Sequence, residues 1–356
     1  MTNLEIAEIR LRNQHISNPT FKHPQEVVQW LGAVQAQDYP GAKWAVAQRA
    51  QGLTDTVMDQ ALAEGTILRT HLLRPTWHFV TPADIRWMLR LTAPRVHAAN
   101  ALMYRRLELD NAVFKRSNAA LAKALHGGQQ LTRPELSPVL KRARIEAEGQ
   151  RLSYLVMRAE LDGAICSGAR RGKQFTYALL DDRAPDASGF DREQALTDLS
   201  TRYFTSRGPA SLKDFVWWSG LTTDDARAGI ELASSQLVRE VIDDQTYWLS
   251  RSSPTPPKRS PAAYLLSTYD EYWMGYKSRG VAVDAVHAQK IVGGDTFSST
   301  ILLEGRVVGT WRRTINKETV DIQTDLFAPL AQAGKQAIAA AAEQYGQFLG
   351  LPVVLV

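Results

Sequence analysis

The 356-residue sequence predicts a mainly helical α+β protein with three tandem winged-helix modules and a C-terminal α+β domain that holds a small barrel or curled sheet. Two observations predict this fold. Helical segments followed by strand-like segments recur along the chain. Strand signals then predominate after a proline-rich segment, which contains Pro254, Pro256, Pro257 and Pro261. The predicted domains comprise residues 1–117, 118–185, 190–252 and 262–356.

The first predicted module begins with a helix. Apolar side chains at helical spacing predict it over residues 23–34, and the sequence Tyr39-Pro40-Gly41 should end it. Two further helices and then one extended strand are expected, over about residues 43–50, 54–64 and 70–80. Thr81-Pro82 has the pattern of an N-cap with proline in the first turn, so a helix that continues to Leu91 should begin there.

The second module carries the clearest signals. Thr132 and Glu135 fit a capping box, which predicts the start of a helix. An apolar stripe follows on the next helix, in the recognition position of a winged helix. Two strand-like segments then flank a turn over residues 167–173 that contains several basic side chains. The module is therefore expected to end in a β-hairpin with a basic tip.

The third module and the C-terminal domain follow a polar linker, predicted over residues 181–189. Three helices are predicted in the third module, beginning at or near Asp191, Ser211 and Thr222. A hairpin that turns at Asp243-Asp244 completes it. In the C-terminal domain, a hairpin should turn at residues 304–306, another strand should follow, and an Ala-rich helix is expected over residues 330–349.

Basic residues are concentrated in the first half of the chain. Residues 1–180 hold 24 Lys and Arg against 15 Asp and Glu, and the remainder holds 18 against 22, so the net charge of +5 divides into +9 and −4. This distribution is typical of a protein whose first half binds phosphate backbones, which makes nucleic acid a candidate partner. A solvated surface with unevenly spread charge is the alternative.

Composition and missing motifs exclude several classes of protein. No stretch approaches the roughly 20 apolar residues of a membrane span. Residues 1–12 lack the apolar region of a secretory signal, so a cytoplasmic protein is expected. The single Cys166 leaves no internal disulfide and no multi-cysteine metal site. Because the P-loop, G-x-G-x-x-G, H-E-x-x-H and G-x-S-x-G patterns are also missing, neither a metal nor a cofactor is predicted.

The motif Gln35-Ala36-Gln37-Asp38 is the most informative part of the sequence. It lies at the predicted end of a helix, where polar side chains ordinarily bond local backbone. A carboxamide, however, offers an acceptor oxygen and two donor hydrogens without a charge. Gln35 and Gln37 are therefore candidates for holding a water against an electrophilic carbon whose leaving group is already activated, such as a cationic N-alkylated purine. Asp38 is a candidate for supporting that site.

Other charged residues are candidates for contact with DNA or for support of the site. The candidates for DNA contact flank the predicted strand or occupy the tip of the basic hairpin, and they are Arg69, His71, Arg74, Arg170, Arg171 and Lys173. Arg74 is interpreted as a clamp on the DNA backbone, with simple packing as the alternative. Asp270 and Glu271 stand among aromatic residues, where core packing is favoured over a position near the substrate.

Four parts of the chain together resemble the AlkZ/YcaQ-like DNA glycosylases, which are also described as winged helix DNA-binding domain proteins. They are Gln35 to Asp38, Leu73 to His78, Tyr269-Asp270-Glu271-Tyr272 with Gly275-Tyr276, and Gly305 to Trp311. The family has three tandem winged helices and a C-terminal β-barrel, so the resemblance implies a barrel-like C-terminal domain here. It also implies monofunctional excision of N-alkylated purines and, for some members, unhooking of interstrand crosslinks.

The resemblance also carries a catalytic motif. The family uses Q-Φ-Q or, in the YcaQ-like branch, Q-Φ-D, where Φ is an apolar residue. Gln35 and Gln37 match the first form, with Ala36 as a small version of the central residue. Asp38 follows the motif directly and is not the aspartate of the second form.

Two main hypotheses follow. The first is a DNA glycosylase without metal, acting as a monomer on double-stranded DNA that carries alkylated bases or crosslinks, with no membrane association. The second is a winged-helix transcriptional regulator without enzymatic activity, which gives Gln35 and Gln37 no role. A protein-interaction scaffold is a third interpretation, and it predicts no salt-sensitive binding of DNA.

Overall fold

The computed structural model describes residues 1–185, 189–252, 262–293 and 296–356. The predicted boundary prolines lie outside the described residues, and they are Pro254, Pro256, Pro257 and Pro261. The helices and strands group into four regions along the chain. They are called the first, second, third and C-terminal regions and comprise residues 1–106, 111–183, 192–250 and 262–356.

The first region combines helices with a small antiparallel sheet. Its helices are α1 (Asn3–Asn13), α2 (Pro24–Leu31), α3 (Tyr39–Ala47), α4 (Asp55–Glu64) and α5 (Pro82–Arg106). Its strands are β1 (Val34–Gln35), β2 (Leu68–Leu72) and β3 (Thr76–Val80). The strand order is β1-β3-β2, so β3 is the central strand and β1 is a short edge strand.

The structure corrects three local predictions in this region. Gly32, with a φ of +75°, ends α2, and Gln35 therefore lies on a strand rather than at the end of a helix. Pro40 and Gly41 do not break a helix but occupy the first turn of α3, where a proline loses no hydrogen bond. The predicted single strand is a hairpin, because Leu73 has a φ of +60° and turns the chain between β2 and β3.

The second region has the element order predicted from the sequence. Its helices are α6 (Asn111–Leu125), α7 (Arg133–Arg142), α8 (Gly149–Leu161) and α9 (Leu180–Arg183). Its strands are β4 (Leu131–Thr132), β5 (Ile165–Ser167) and β6 (Thr176–Leu179), in the order β4-β6-β5. The capping box of Thr132 and Glu135 is confirmed. Two predicted bounds were wrong. The helix α5 of the first region continues past Leu91 to Arg106. The helix α9 occupies part of the predicted linker, because Leu180 is buried.

The third region also has the predicted order of three helices and a hairpin. It consists of α10 (Arg192–Arg207), α11 (Leu212–Ser219), α12 (Thr223–Leu232), β7 (Leu237–Ile242) and β8 (Gln245–Ser250). Asp243 and Asp244 form the turn with φ values of +47° and +60°. Two positive φ values are typical of the tight turn that matches the twist of a hairpin, and aspartate tolerates that conformation.

The C-terminal region is built on one open sheet. Its strands are β9 (Ala263–Leu266), β10 (Val292–Gly293), β11 (Thr296–Phe297), β12 (Thr300–Leu303), β13 (Arg306–Ile315), β14 (Val320–Leu326) and β15 (Val353–Leu355). Its helices are α13 (Glu271–Met274), a 3-10 turn (Ala285–His287), α14 (Ala288–Ile291) and α15 (Gln332–Leu349). The main sheet has the order β15-β14-β13-β12-β9 with two free edges, so it is a half-barrel and not a closed barrel.

The hydrophobic cores join regions that are distant in sequence. Trp44 of α3 packs on Tyr345 and Phe348 of α15, with ring centroids 5.0 and 5.4 Å apart, so the first and C-terminal regions share one core. A second core joins the first region to the third region. Val34 belongs to the first of these cores and Ala33 to the second, so the segment that leads into Gln35 lies where they meet.

Within the described ranges, no helix is both long enough and apolar enough to cross a lipid bilayer.

Candidate active site

Gln35 is a buried side chain on the edge strand β1. Gln35 as a whole is 4% exposed, and its backbone pairs in register with His78 of β3. The backbone N–H of Gln35 donates to Oε1 of Glu271 at 2.8 Å. Because β1 is only two residues long, this bond to the C-terminal region replaces the sheet partner that an edge strand lacks.

The Gln35 side chain is held by Arg74, which the sequence had suggested as a DNA clamp. Arg74 Nη2 donates to Oε1 of Gln35 at 2.7 Å, and Nη1 donates to the carbonyl oxygen of Trp217 at 3.2 Å. The guanidinium also lies 5.3 Å from the centroid of the Trp217 ring. Burial lowers the pKa of Arg74 to about 10, which leaves the side chain charged at neutral pH. Arg74 is thus bound within the protein next to Gln35.

Gln37 differs from Gln35 in its exposure. Its side chain is exposed, and its Oε1 accepts only a long bond, 3.5 Å, from the backbone N–H of Trp77. The residue between the two glutamines is fixed on both sides, because Ala36 donates to the Trp77 carbonyl at 2.7 Å and accepts from Nε of Arg69 at 3.1 Å. The motif therefore combines a rigid backbone, one clamped carboxamide and one accessible carboxamide.

Asp38 is the N-cap residue of α3 but makes no capping hydrogen bond with its side chain. Its carboxylate instead lies against Gly41, where an added Cβ would come within 2.5 Å of Oδ2. A side chain larger than hydrogen at position 41 would push this carboxylate away. Asp38 is half-buried and borders the exposed Gln37, so it lies next to the motif rather than within it.

The carboxylates of Asp270 and Glu271 are fully buried, as the core-packing interpretation expected. Asp270 accepts from both terminal nitrogens of Arg49, at 2.9 and 2.7 Å. Glu271 accepts from Nη2 of Arg207 at 2.5 Å and from Nε1 of Trp218 at 3.0 Å, in addition to its bond with the Gln35 backbone. Glu271 therefore holds the backbone of the motif in place through its bond with Gln35.

Arg207 fixes the chain that leads into the motif, and nothing local in the sequence marks it for this role. It donates to the carbonyl oxygens of Leu31 and Ala33, at 2.7 and 3.1 Å. Its guanidinium stacks on Trp218, 4.4 Å from the ring centroid. Sequence patterns placed Arg207 at the end of an ordinary helix, because its partners are more than 170 residues away.

His78 lies beside Gln35 as a neutral imidazole. It is fully buried, and its Nδ1 is 2.9 Å from the carbonyl oxygen of Thr76, which assigns the proton to Nδ1. Burial holds the pKa of His78 well below its usual value, and the nearby charge of Arg74 lowers it further. The neighbour of Gln35 on the sheet therefore carries no positive charge at neutral pH.

Arg69 and His71 are buried and make protein contacts instead of lying on the surface. Arg69 stacks between the rings of Trp77 and Phe175, 4.4 and 4.2 Å from their centroids, and burial lowers its pKa to about 10. His71 Nδ1 lies 2.5 Å from Oε2 of Glu160. The contacts of Arg69 with Phe175 and of His71 with Glu160 join the first region to the second region.

The basic hairpin tip is divided between bound and exposed side chains. Arg170 folds back over the rings of Tyr39 and Phe175, at 4.8 and 5.2 Å. Arg171 is exposed and pairs with Glu135 at 2.8 Å, and Lys173 is exposed. Lys173 and Arg171 are thus the residues of the tip that a ligand reaches most easily.

No group of three or more His, Cys, Asp or Glu side chains that could hold a metal ion occurs among the residues that the structure describes. The buried carboxylates of Asp270 and Glu271 are paired instead with Arg49 and Arg207.

Comparison with known proteins places this arrangement in a family. The family model described as "DNA glycosylase AlkZ-like" matches residues 28–348. An interstrand DNA cross-link repair glycosylase from Streptomyces sahachiroi is 23% identical over 325 residues, which cover 85% of each chain. The solved structure of the Streptomyces sahachiroi DNA glycosylase AlkZ superposes with a TM-score of 0.82 at 19% identity and full coverage of both chains. The chain therefore belongs to the AlkZ-like DNA glycosylase family.

Proposed function

We propose that this protein is a monofunctional DNA glycosylase that hydrolyses the N-glycosidic bond of N-alkylated purines in double-stranded DNA. One observation carries the proposal: Gln35 and Gln37 project from one rigid segment, the first clamped by Arg74 and Glu271 and the second exposed. A pair of neutral amides in fixed positions is suited to orienting a water and a nucleotide. Membership of the family supports the same activity.

The chemistry requires little from the protein because the substrate is already activated. The oxygen of a water forms a bond to C1′ while the bond from C1′ to the base nitrogen breaks. The electron pair of that bond neutralises the positive charge of the alkylated purine, and the surplus proton passes to bulk water. Glutamine supplies orientation and hydrogen bonds, not a proton transfer. Neither Gln35 nor Gln37 can form a Schiff base, so strand scission by a β-lyase step is not expected.

We propose that the first, second and third regions act as winged helices that bind the duplex as a monomer. The second region offers the exposed Lys173 and Arg171 at its hairpin tip, where phosphate contacts are expected. Arg69, His71 and Arg170 would serve this interface indirectly, because their contacts hold the second region against the first region, which carries the motif. No cofactor is needed for the proposed reaction.

Interstrand crosslinks are proposed as a second type of substrate. The relative from Streptomyces sahachiroi is described as an interstrand cross-link repair glycosylase. A crosslinked base remains tied to the opposite strand and cannot turn fully out of the duplex. The exposed position of Gln37 suits such a substrate, since a water held there can reach a nucleotide that stays in the duplex.

The test is release of base from a duplex that contains N7-methylguanine, measured as alkali-labile strand scission. Wild type should release the base, and the Gln35→Ala/Gln37→Ala variant should lose release while it retains DNA binding. Gln51→Ala/Gln60→Ala is the matched control, because both of these glutamines are exposed and lie outside the motif. A duplex with an interstrand crosslink is the second substrate. Unchanged release by the Gln35→Ala/Gln37→Ala variant would remove the motif from the mechanism.

A further inference from the structure

We propose that Arg74 is a positioning residue that holds the Gln35 carboxamide with its NH2 edge toward the target nucleotide, so that Gln35 acts as a hydrogen-bond donor. This inference rests on the proposed glycosylase function and assigns different roles to the two glutamines. Gln35 would donate to an acceptor atom of the nucleotide, and Gln37 would accept from the attacking water.

The orientation of the Gln35 amide follows from the chemistry of its partner. A guanidinium carries only donor hydrogens, so the Gln35 atom that lies 2.7 Å from Arg74 Nη2 has to be the oxygen. The two ends of an amide otherwise look alike, and a donor-only partner removes that ambiguity. With the oxygen occupied, the nitrogen of Gln35 points away from Arg74.

The Gln35 nitrogen remains available to a ligand. It makes no hydrogen bond with any residue that the structure describes, although the side chain is almost entirely buried. It is also not among the fully buried side-chain atoms that lack a partner within the described ranges, so it keeps some access to the surface. A buried carboxamide with a satisfied oxygen and an accessible nitrogen is arranged to donate.

Arg74 is itself fixed in place, which a positioning role requires. Its second terminal nitrogen donates to the Trp217 carbonyl, and its plane lies over the Trp217 ring. The residue before it, Leu73, is buried and has a φ of +60°, a conformation that bulky side chains adopt only under constraint. The Leu73 carbonyl lies against Gly220, where an added Cβ would be 2.2 Å away. The third region therefore determines where the guanidinium sits.

Gln37 provides the contrast. Its oxygen accepts one bond of 3.5 Å, which is weak, and the exposed side chain can turn its oxygen toward a water. The two carboxamides thus differ in the atom that each can offer, although they are chemically identical. A donor and an acceptor two residues apart can engage a nucleotide and a water at the same time.

The rival role for Arg74 is a clamp on DNA phosphates, and the salt dependence of binding separates the two. A phosphate contact contributes about 0.9 to the slope of log K against log salt. We expect Arg74→Met and Arg74→Lys to leave this slope and the affinity for undamaged duplex unchanged. Lys173→Ala, at the exposed tip, should lower the slope by about that amount. A lower slope for Arg74→Met would overturn the positioning role.

Single-turnover excision tests what Arg74 does for Gln35. Arg74→Met should slow base release by about 10- to 100-fold, since a misplaced group of this kind costs up to about 100-fold. Arg74→Lys should be similarly slow, because an ammonium lacks the fork that joins Gln35 to Trp217. Arg183→Met is the matched control, as Arg183 also donates to backbone carbonyls, those of Leu62 and Ala63 on α4, and makes no hydrogen bond to the glutamines among the described residues. Excision by Arg74→Met at the wild-type rate would contradict the proposal.

The pH dependence of two further variants tests the donor role. In Gln35→Glu, the introduced carboxylate should pair with Arg74 and remain ionised, so the donor is lost and excision is slow at neutral pH. Excision should recover as the pH falls and the carboxyl is protonated, because the protonated form again donates. In Gln35→Glu/Arg74→Met this recovery should occur at a higher pH, since the cation that favours ionisation is gone.

A failure of the proposed function can be told apart from a failure of this inference by a measurement on the protein alone. Selective 15N labelling of glutamine resolves the side-chain NH2 signal of Gln35, assigned by its loss in Gln35→Ala. Arg74→Met should shift this signal, and Arg183→Met should not. If the signal shifts and wild type releases no base from either substrate, the positioning stands and the glycosylase proposal falls. If Arg74→Met leaves the signal unmoved, the positioning role is wrong whatever the activity.

Discussion

Glu271 satisfies three donors from two regions of the chain with one carboxylate. It binds the Gln35 backbone in the first region, and Arg207 and Trp218 in the third region. A buried carboxylate is costly unless it is paired and fully hydrogen-bonded, and Glu271 meets both conditions. The position of the motif therefore depends on a residue that does not reach the surface.

We expect Glu271→Gln to lower the free energy of unfolding and to slow base release. The neutral amide leaves the Arg207 charge buried without a counter-ion, and breaking a buried pair costs roughly 3–5 kcal/mol. Urea unfolding and single-turnover excision measure the two effects. Glu231→Gln, at an exposed position of α12, is the control and should change neither. A stable Glu271→Gln protein with normal excision would show that the motif does not depend on this carboxylate.

The neutral state of His78 predicts a dependence of stability on pH. Its folded pKa lies well below the value of about 6.5 expected in the unfolded chain, so the unfolded state binds more protons near and below that pH. The stabilisation is fully present above about pH 6.5 and is lost as the pH falls from there toward the folded pKa. We expect His78→Gln to weaken this loss, measured as the urea midpoint at several pH values. The exposed control His126→Gln should keep the wild-type dependence.

At the scale of elements, the hairpin of β2 and β3 and the end of α11 fit together closely. Gly220 terminates α11 with a φ of +69° and leaves room for the carbonyl oxygen of Leu73. The turn that carries Arg74 is thus shaped by a helix from another region. A small change in this contact should shift the Gln35 side chain, because the Arg74 guanidinium donates a hydrogen bond to it.

Gly220→Ala should therefore slow excision more than its loss of stability explains. An added methyl would lie 2.2 Å from the Leu73 oxygen, which forces the turn and the Arg74 side chain to move. Gly52→Ala is the matched control, since Gly52 has the same φ of +69° and an open environment. Both variants carry the backbone strain of a positive φ, and only Gly220→Ala should impair base release. Equal excision by the two variants would contradict the link.

Local signals predicted many elements correctly, and tertiary contacts explain the misses. The capping box at Thr132 and the turn at Asp243-Asp244 depend on neighbouring residues, so the sequence showed them. The helix α1, which no prediction included, also begins with a local signal, the capping box of Thr2 and Glu5. The strand β1 gave no local signal, because two residues are too few for a pattern and its bonds come from β3 and Glu271.

The same reasoning applies to the site. The motif itself could be found from residue types, since two amides beside a carboxylate are unusual enough to be noticed. Glu271 was a candidate for support of the site, but its partners Arg207 and Trp218 could not be found, because they are distant in sequence and sit in ordinary helical contexts. Arg69 and His71 were candidates for contact with DNA, because polar side chains are mostly exposed. Their burial depends on aromatic and carboxylate partners that only the folded chain brings close.

At the scale of the whole molecule, one hydrophobic core joins the first region to the C-terminal region. Trp44 donates its Nε1 to the Leu265 carbonyl at 2.6 Å, so the first region completes the core beneath the half-barrel. The buried Arg49 of the first region likewise pairs with Asp270 of the C-terminal region. The four regions are continuous in sequence, but the first region is not independent of the last.

A truncated chain that ends at residue 252 should not fold cooperatively. It would lose the partners of Arg49 and Arg207 and expose the apolar face of α3, which the C-terminal region covers. Two uncompensated buried charges alone exceed what most domains can tolerate. Near-UV circular dichroism and thermal unfolding, compared with the full chain, measure this. A sharp unfolding transition for residues 1–252 would show that the earlier regions form a self-sufficient unit.

A stack of aromatic rings and arginines joins the base of the basic hairpin to β3, the strand that pairs with β1. Its members, in order from β3, are Trp77, Arg69, Phe175, Arg170 and Tyr39. Since cations and rings alternate along it, the hairpin cannot tilt without separating several of these contacts at once. A duplex gripped at Lys173 would then meet the glutamine pair at one constant offset along its axis. Hydroxyl-radical footprints on duplexes with the lesion at different positions should move in step with the lesion, and the protected phosphates should stay at a fixed distance from it.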